Sequence, residues 1–281
     1  MEVNKKGLTA ATLKMIAVIS MFIDHIAAAL IRRWEIEGGV LQTVIAGSFT
    51  YENLYVVLKT LGRFAFPVYC YFIVEGFYYT KSKAKYALRL FIFALISELP
   101  FDWAFSTFPA ITEKGIINLM PEFNHQNVFF TFLIGLLCMW VVDEIRKLLH
   151  KMLSDNKIIR SILRGISFIG IFLASTEIAL ALHTDYASVG MLAIFVMYAI
   201  YLPHGRDTEL VKWRRLLAFG MGCVAMLLSS SLEIYSFLML IPMYFYNGQR
   251  GKQNKYFFYA FYPVHILILA IIGMLLNSYA W

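Results

Sequence analysis

Long apolar runs separated by short polar breaks make up most of the chain. The first run, 12–32, has 21 residues. As a helix it is about 30 Å long at 1.5 Å per residue, enough to cross a hydrocarbon core. Further runs follow at 61–79, 86–104, 128–146, 163–182, 188–203, 214–231, 232–246 and 257–278. The pattern predicts nine transmembrane helices, the seventh and eighth joined by a tight turn at Ser229, Ser230, Ser231 and Glu233. Pro100 should break the third. VLQTVIAGSF, residues 40–49, is apolar but too short to span, so an interfacial or re-entrant segment is expected there. Neither an internal repeat nor a soluble domain is visible. The reading is one all-α, polytopic membrane domain over 1–281. The first run is long and no A-x-A site follows it, so it should be a retained span and not a cleaved signal peptide.

Composition supports this. The chain is 60% hydrophobic and 15% charged, against roughly 25% charged for a soluble domain. A net charge of +7 would fit a nucleic-acid partner. However, the basic residues fall in short loops, which membrane orientation explains better, so no nucleic acid is expected. Lys5 and Lys6 place the N-terminus inside, with the loops at Lys81 to Lys85, Arg146 to Arg164, Arg206 to Arg215 and Arg250 to Lys255. The loops 33–60, 105–127 and 183–187 are then outside; Arg32 and Arg33, the exception, are offset by Glu35 and Glu37. The C-terminus is expected outside. Cys70, Cys138 and Cys223 are odd in number and form no CxxC, so they imply neither a disulfide framework nor a metal site.

Against this apolar background the intramembrane polar residues stand out. Asp24 and His25 lie side by side in the first span, where an ionisable residue costs at least about 2.5 kcal/mol. Lys14 is near the cytoplasmic end of the same span, and His25 is about 16 Å further along its axis. Arg63, Glu98, Asp102, Asn127 and Asp185 collect toward the outer side, while Glu75 and His265 fall in the inner halves of their spans. Structural roles compete with functional ones. Lys14 can be an interface lysine that snorkels, Arg63 a partner that makes a buried carboxylate tolerable, and Asp185 a solvated loop residue.

A neutral histidine can take a proton from an attacking amine or hydroxyl. Asp24 either supports His25 or pairs with Arg63, leaving Glu98 or Asp102 to orient the imidazole. A lysine at the inner mouth can hold a phosphate. A long donor such as coenzyme A would then run from Lys14 to His25. There is no Walker loop, GxGxxG, HExxH or cysteine cluster, so metal-free acyl transfer fits the side chains.

LKMIAVISMFIDHI, GRFAFPVYCYFIVEGF, ALRLFIFALISELPFD, NVFFTF and DYASVGML, in this order over most of residues 8–200, together resemble the TraX family. The resemblance implies an enzyme that acetylates a pilin N-terminal amine. The chain is similar more widely to membrane acyltransferases of the acyltransferase-3 type, whose first span carries a basic residue, ten intervening residues and a histidine. Lys14 and His25 have that spacing, and FYPVHI extends the likeness to His265. The resemblance implies acetyl-CoA as the donor from the cytoplasm, with His25 and Asp24 as catalytic residues and Lys14 and His265 on the donor side. It also implies an acceptor at the outer face of the plasma or inner membrane. By their depth, Arg63, Glu98, Asp102, Asn127 and Asp185 are the residues expected to build that acceptor site. The acceptor would be a protein N-terminus or a surface glycan or peptide. Two other classes are open: a proton-coupled transporter using Asp24, His25 and Glu75, and a non-catalytic membrane component of a surface or conjugation system.

Overall fold

The computed structural model describes residues 7–32, 40–105, 124–201 and 208–278. Lys5, Lys6, Arg33, Glu35, Glu37, Arg206 and most of the 105–127 loop, all used above, lie outside the described residues. Among the described residues the fold is helical, as the apolar runs predict, apart from one two-stranded hairpin.

Helix α1, Ala10–Ile26, passes directly into a π turn, Ala27–Ile31. Thr9 has extended backbone, and its Oγ1 accepts the N–H of Thr12 at 3.3 Å. That bond supplies a partner the first helical turn otherwise lacks. The wider turn starts two residues after His25, and such turns are frequent at functional sites.

VLQTVIAGSF forms no apolar helix. Val40–Gln42 make a 3-10 turn, and β1 (Val44–Ala46) pairs antiparallel with β2 (Phe49–Thr50). β-branched Val44 and Ile45 favour extended backbone, and Gly47, at φ +56°, takes the left-handed position of the hairpin turn. Val44, Ile45 and Phe49 stay exposed.

Helix α2, Tyr51–Gly62, opens with a capping box: Thr50 Oγ1 accepts from Asn53 N–H, and Asn53 Oδ1 accepts from Thr50 N–H. After a turn at Arg63 and Phe64 comes α3, Ala65–Tyr79. The break has a local cause: Pro67 has no N–H to give, and its ring crowds the carbonyl four residues back, that of Arg63. Ser20 Oγ, on α1, donates to the carbonyls of Leu61 and Gly62, the last two residues of α2, at 2.6 and 3.1 Å.

The remaining helices are α4 (Lys83–Phe105), α5 (Val128–Met152), α6 (Lys157–Ala181), α7 (Ala187–Ile200), α8 (Thr208–Met226), α9 (Leu240–Tyr244) and α10 (Lys255–Ser278), with a 3-10 segment, Ser231–Met239, before α9. The predicted break at Pro100 does not occur, since α4 runs through it. One proline removes one hydrogen bond, and the flanking turns hold the helix together.

Among the described residues, five helical stretches are long and apolar enough to cross a membrane: Ala10–Ile31, Tyr51–Tyr79, Val128–Met152, Lys157–Ala181 and Tyr256–Leu276. They coincide with five of the nine predicted spans. The other four fall on weaker helices. The helix α4 carries Lys83, Lys85, Arg89, Glu98 and Asp102, and α8 carries Lys212, Arg214 and Arg215. The 14 residues of α7 reach only about 21 Å. The predicted eighth span is the 3-10 segment followed by the five residues of α9.

The chain divides into two compact units. Met1–Tyr69, Leu95–Glu122 and Ser230–Trp281 form the first; Cys70–Ala94 and Phe123–Ser229 form the second. In the first, α1 packs against α2 and α10 around Leu13, Ala17, Ile266 and Leu269. Leu8 N–H donates to Phe245 O at 2.8 Å and Asn247 N–H to Leu8 O at 2.9 Å, which ties the entry of α1 to the strand of chain after α9. In the second, Met191, Ile194, Met197, Phe219 and Met226 are fully buried. Lipid tails are as apolar as these side chains, so tight fit, and not escape from water, holds such helices together. Gly222 on α8 shows it: a Cβ there would collide with Met197 on α7.

Candidate functional site

Adjacent residues on a helix point about 100° apart, and Asp24 and His25 accordingly serve two different neighbours within the first unit. Asp24 faces α2. Lys59 Nζ lies 2.9 Å from its carboxylate and Arg63 Nη2 2.5 Å. Arg63 Nη1 reaches Glu233 Oε1 on the 3-10 segment at 2.8 Å, and Arg63 Nε donates to the Lys59 carbonyl at 3.0 Å. Two cations thus balance two carboxylates, and Glu233 is 1% exposed. Gly62 is the residue that lets α2 come this near, because a Cβ there would overlap the Asp24 carboxylate.

His25 faces α10. Its Nδ1 lies 2.7 Å from His265 Nε2, and His265 Nδ1 lies 2.6 Å from the Phe261 carbonyl oxygen. A carbonyl can only accept, so His265 Nδ1 carries a proton. With both rings neutral, His265 Nε2 is then an acceptor and His25 Nδ1 must be its donor. Nε2 of His25 is left as the basic nitrogen. Phe105 and Tyr262 meet the His25 ring edge-on, at centroid distances of 5.1 and 5.9 Å. The arrangement is a tautomer-fixed imidazole in an aromatic surround, suited to taking a proton at one defined atom.

The family described as TraX protein matches residues 9–273. The chain belongs to the TraX family. A relative, the probable fimbrial assembly protein FimC, serogroup H1, of Dichelobacter nodosus, is 26% identical over 285 residues, covering 96% of this chain and 97% of the relative. No solved structure matches.

The TraX-family match spans every candidate residue read from the sequence, and the fold sorts them. Lys14, Asp24, His25, Arg63, Glu98, Asp102 and His265 belong to the first unit. Lys14 lies on α1 with its Nζ 5.9 Å from the centre of the Phe258 ring of α10, so Lys14 and His25 mark two points of one α1–α10 seam. Glu98 and Asp102 are buried one turn apart near the end of α4, the helix that brings Phe105 to His25. The hydrogen bond that orients His25 comes from neither of them but from His265.

Asn127 and Asp185 belong to the second unit. Asn127 caps α5: its Oδ1 accepts from Phe129 N–H at 3.1 Å, and its Nδ2 donates to Ala94 O at 2.8 Å. Asp185 lies 3.7 Å from His125 Nε2, and its carbonyl accepts from Thr131 Oγ1. Glu75 is also in this unit, where the Tyr201 hydroxyl donates to its Oε2 at 3.2 Å.

Sequence reasoning missed Lys59 and Glu233. Lys59 falls within the expected outer loop 33–60, and Glu233 within the expected turn. The signal for the first was present: Lys59 and Arg63 are spaced i, i+4, which puts two cations on one helical face. Glu233 had no such signal, being 170 residues from Arg63.

Proposed function

We propose that this TraX-family chain is an acetyl-CoA-dependent membrane acetyltransferase that acylates an amine or hydroxyl at the outer face of the plasma or inner membrane. The observation that carries the reading is the His25–His265 hydrogen bond, which leaves His25 Nε2 as a base within an apolar helix. Acetyl-CoA supplies the activated thioester. His25 Nε2 takes the proton from the acceptor nitrogen or oxygen as that atom forms its bond to the acetyl carbon. The carbon–sulfur bond breaks, and the His25 imidazolium returns the proton to the departing thiolate, which leaves His25 neutral. Lys14 holds donor phosphates at the cytoplasmic side. His265 fixes the tautomer, Asp24 serves as counter-ion to Lys59 and Arg63, and Glu98 and Asp102 serve the acceptor. The topology that suits these roles is nine spans with the N-terminus inside, so that donor and acceptor approach His25 from opposite sides.

The fimbrial-assembly name of the Dichelobacter nodosus relative favours a protein N-terminus as acceptor over a glycan. It also favours a second reading, a membrane component of a surface system without catalysis. Purified protein given acetyl-CoA and a pilin-type N-terminal peptide separates the two. Acetylated peptide and free thiol, lost in His25→Ala, support the enzyme. Full activity in His25→Ala overturns the role of His25. Absence of both coenzyme A binding and turnover in the unsubstituted protein favours the second reading.

A further inference from the structure

The end of α5 and the start of α6 enclose a groove of about 380 Å³, lined by Arg146, Lys147, His150, Arg160 and Arg164. Among the described residues, no carboxylate lines it. Lys147 has its own partners, with Nζ 2.9 Å from both Asp143 Oδ2 and Glu144 Oε1. The two arginines of α6 have no carboxylate partner among the described residues. Arg160 is pinned at the turn: its Nη1 donates to the Leu153 and Ser154 carbonyls at 3.2 Å and lies 3.1 Å from His150 Nδ1. Arg164 Nη2 makes only a long bond, 3.5 Å, to the Arg146 carbonyl. The Nε–H groups of Arg160 and Arg164 are buried and have no acceptor among the described residues.

Guanidinium groups with donors to spare, held around a groove without carboxylates, match an oxyanion in both charge and geometry. Loop-charge orientation requires a number of lysines and arginines on one side of the membrane; it does not require them to converge. The neighbouring side chains narrow the ligand class. Leu148, Met152, Ile158, Ile159 and Ile162 alternate in sequence with the basic residues and are all exposed. Both helices are among those long and apolar enough to span. A nucleotide phosphate would meet the cations alone, whereas a phospholipid would meet the cations with its headgroup and the isoleucines with its acyl chains.

We propose that this groove binds the phosphate of an anionic phospholipid. The site stands in the second unit and rests neither on acetyl transfer nor on which end of the chain is inside.

The full chain, purified in a neutral detergent, is titrated with dioleoyl phosphatidylglycerol, with dioleoyl phosphatidylcholine and with coenzyme A, and thermal unfolding is followed. Phosphatidylglycerol should raise Tm and phosphatidylcholine should not. Arg146→Gln with Arg164→Gln should weaken the phosphatidylglycerol response on the order of tenfold in apparent affinity, and should leave any coenzyme A response intact. Arg160 is kept because it holds the turn. Raised salt on the unsubstituted protein is a second measurement that needs no variant, and it should weaken the phosphatidylglycerol response. Equal stabilisation by both lipids, a response indifferent to salt, or an unchanged response in the double variant would overturn the proposal. A coenzyme A response that the double variant abolishes would do so as well, since it assigns the groove to a nucleotide.

Discussion

His25 Nδ1 and His265 Nε2 lie 2.7 Å apart, with the two ring planes 6° from parallel, although the residues are 240 positions apart in the chain. The bond does for His25 what a carboxylate does in many general-base pairs: it selects which nitrogen keeps its proton. His265 is itself held, by the Phe261 carbonyl one turn earlier on α10. On the proposed reaction, His25→Ala removes the base and should lower turnover about 10²- to 10⁴-fold. His265→Ala removes only the orientation and should lower it by one to two powers of ten, as part of that same contribution. His265→Gln places a carbonyl near where Nε2 accepts, and should recover activity over the alanine variant. Equal activity of His265→Ala and the unsubstituted protein, measured as acetyl-CoA turnover, would remove His265 from the reaction.

Asp24 has a different part. Its carboxylate is shared between Lys59 and Arg63, and Arg63 passes on to Glu233, so the four charges cancel. Asp24→Asn leaves two largely buried cations with one carboxylate, which should destabilise the protein by about 3 kcal/mol. Combining it with Lys59→Met removes the uncompensated cation and should recover most of the stability. Unfolding in detergent measures both. Turnover of the double variant then decides the role of Asp24. Recovered turnover makes it a counter-ion; a stable but inactive double variant makes it part of the proton transfer.

The close approach of α2 to α1 at this network depends on Gly62, where a Cβ would overlap the Asp24 carboxylate. Gly62→Ala must displace either the helix or the ion pair, at a cost of about 1–3 kcal/mol. Gly165 on α6 is the control, since nothing lies within 4 Å of a Cβ there. Gly165→Ala should be neutral or add up to about 1 kcal/mol, the ordinary helical preference for alanine. If both substitutions shift Tm alike, the approach at Gly62 is looser than the geometry implies.

What was legible in the sequence was what local pattern controls. Apolar runs placed the long helices, and an ionisable pair in the first marked the place where α1 meets both α2 and α10. The pairing of Asp24 with Arg63 was one of two options that burial cost alone could raise. The rest depended on partners remote in the chain. Counting residues from span ends put His265 in an inner half and His25 in an outer half, yet the two rings bond. Helices that begin at similar points need not run parallel, so distance along each axis does not give relative height. Glu233 read as a turn residue because its partner is 170 positions away. Hydropathy marks VLQTVIAGSF as apolar but does not carry backbone preference, so the hairpin that its β-branched residues and Gly47 form was not legible from the apolar pattern.

Lys14 can be settled by choice of donor. It lies on the first turns of α1 beside Phe258, eleven residues before His25. A lysine there either holds the donor's phosphates or reaches for the interface while its stem covers apolar surface. Both uses tolerate arginine, so Lys14→Arg does not separate them; Lys14→Ala with two donors does. If the ammonium binds phosphate, Lys14→Ala loses a charge-assisted contact of about 1.5 kcal/mol or more and raises the KM for acetyl-CoA about tenfold with kcat unchanged. That pattern marks an interaction made equally in the ground and transition states. Acetyl-pantetheine has the same thioester and arm but no nucleotide phosphates. Its kcat/KM should be low in the unsubstituted protein and no lower in Lys14→Ala. A snorkelling lysine predicts the opposite pattern, in which both donors respond alike because only the seating of α1 has changed.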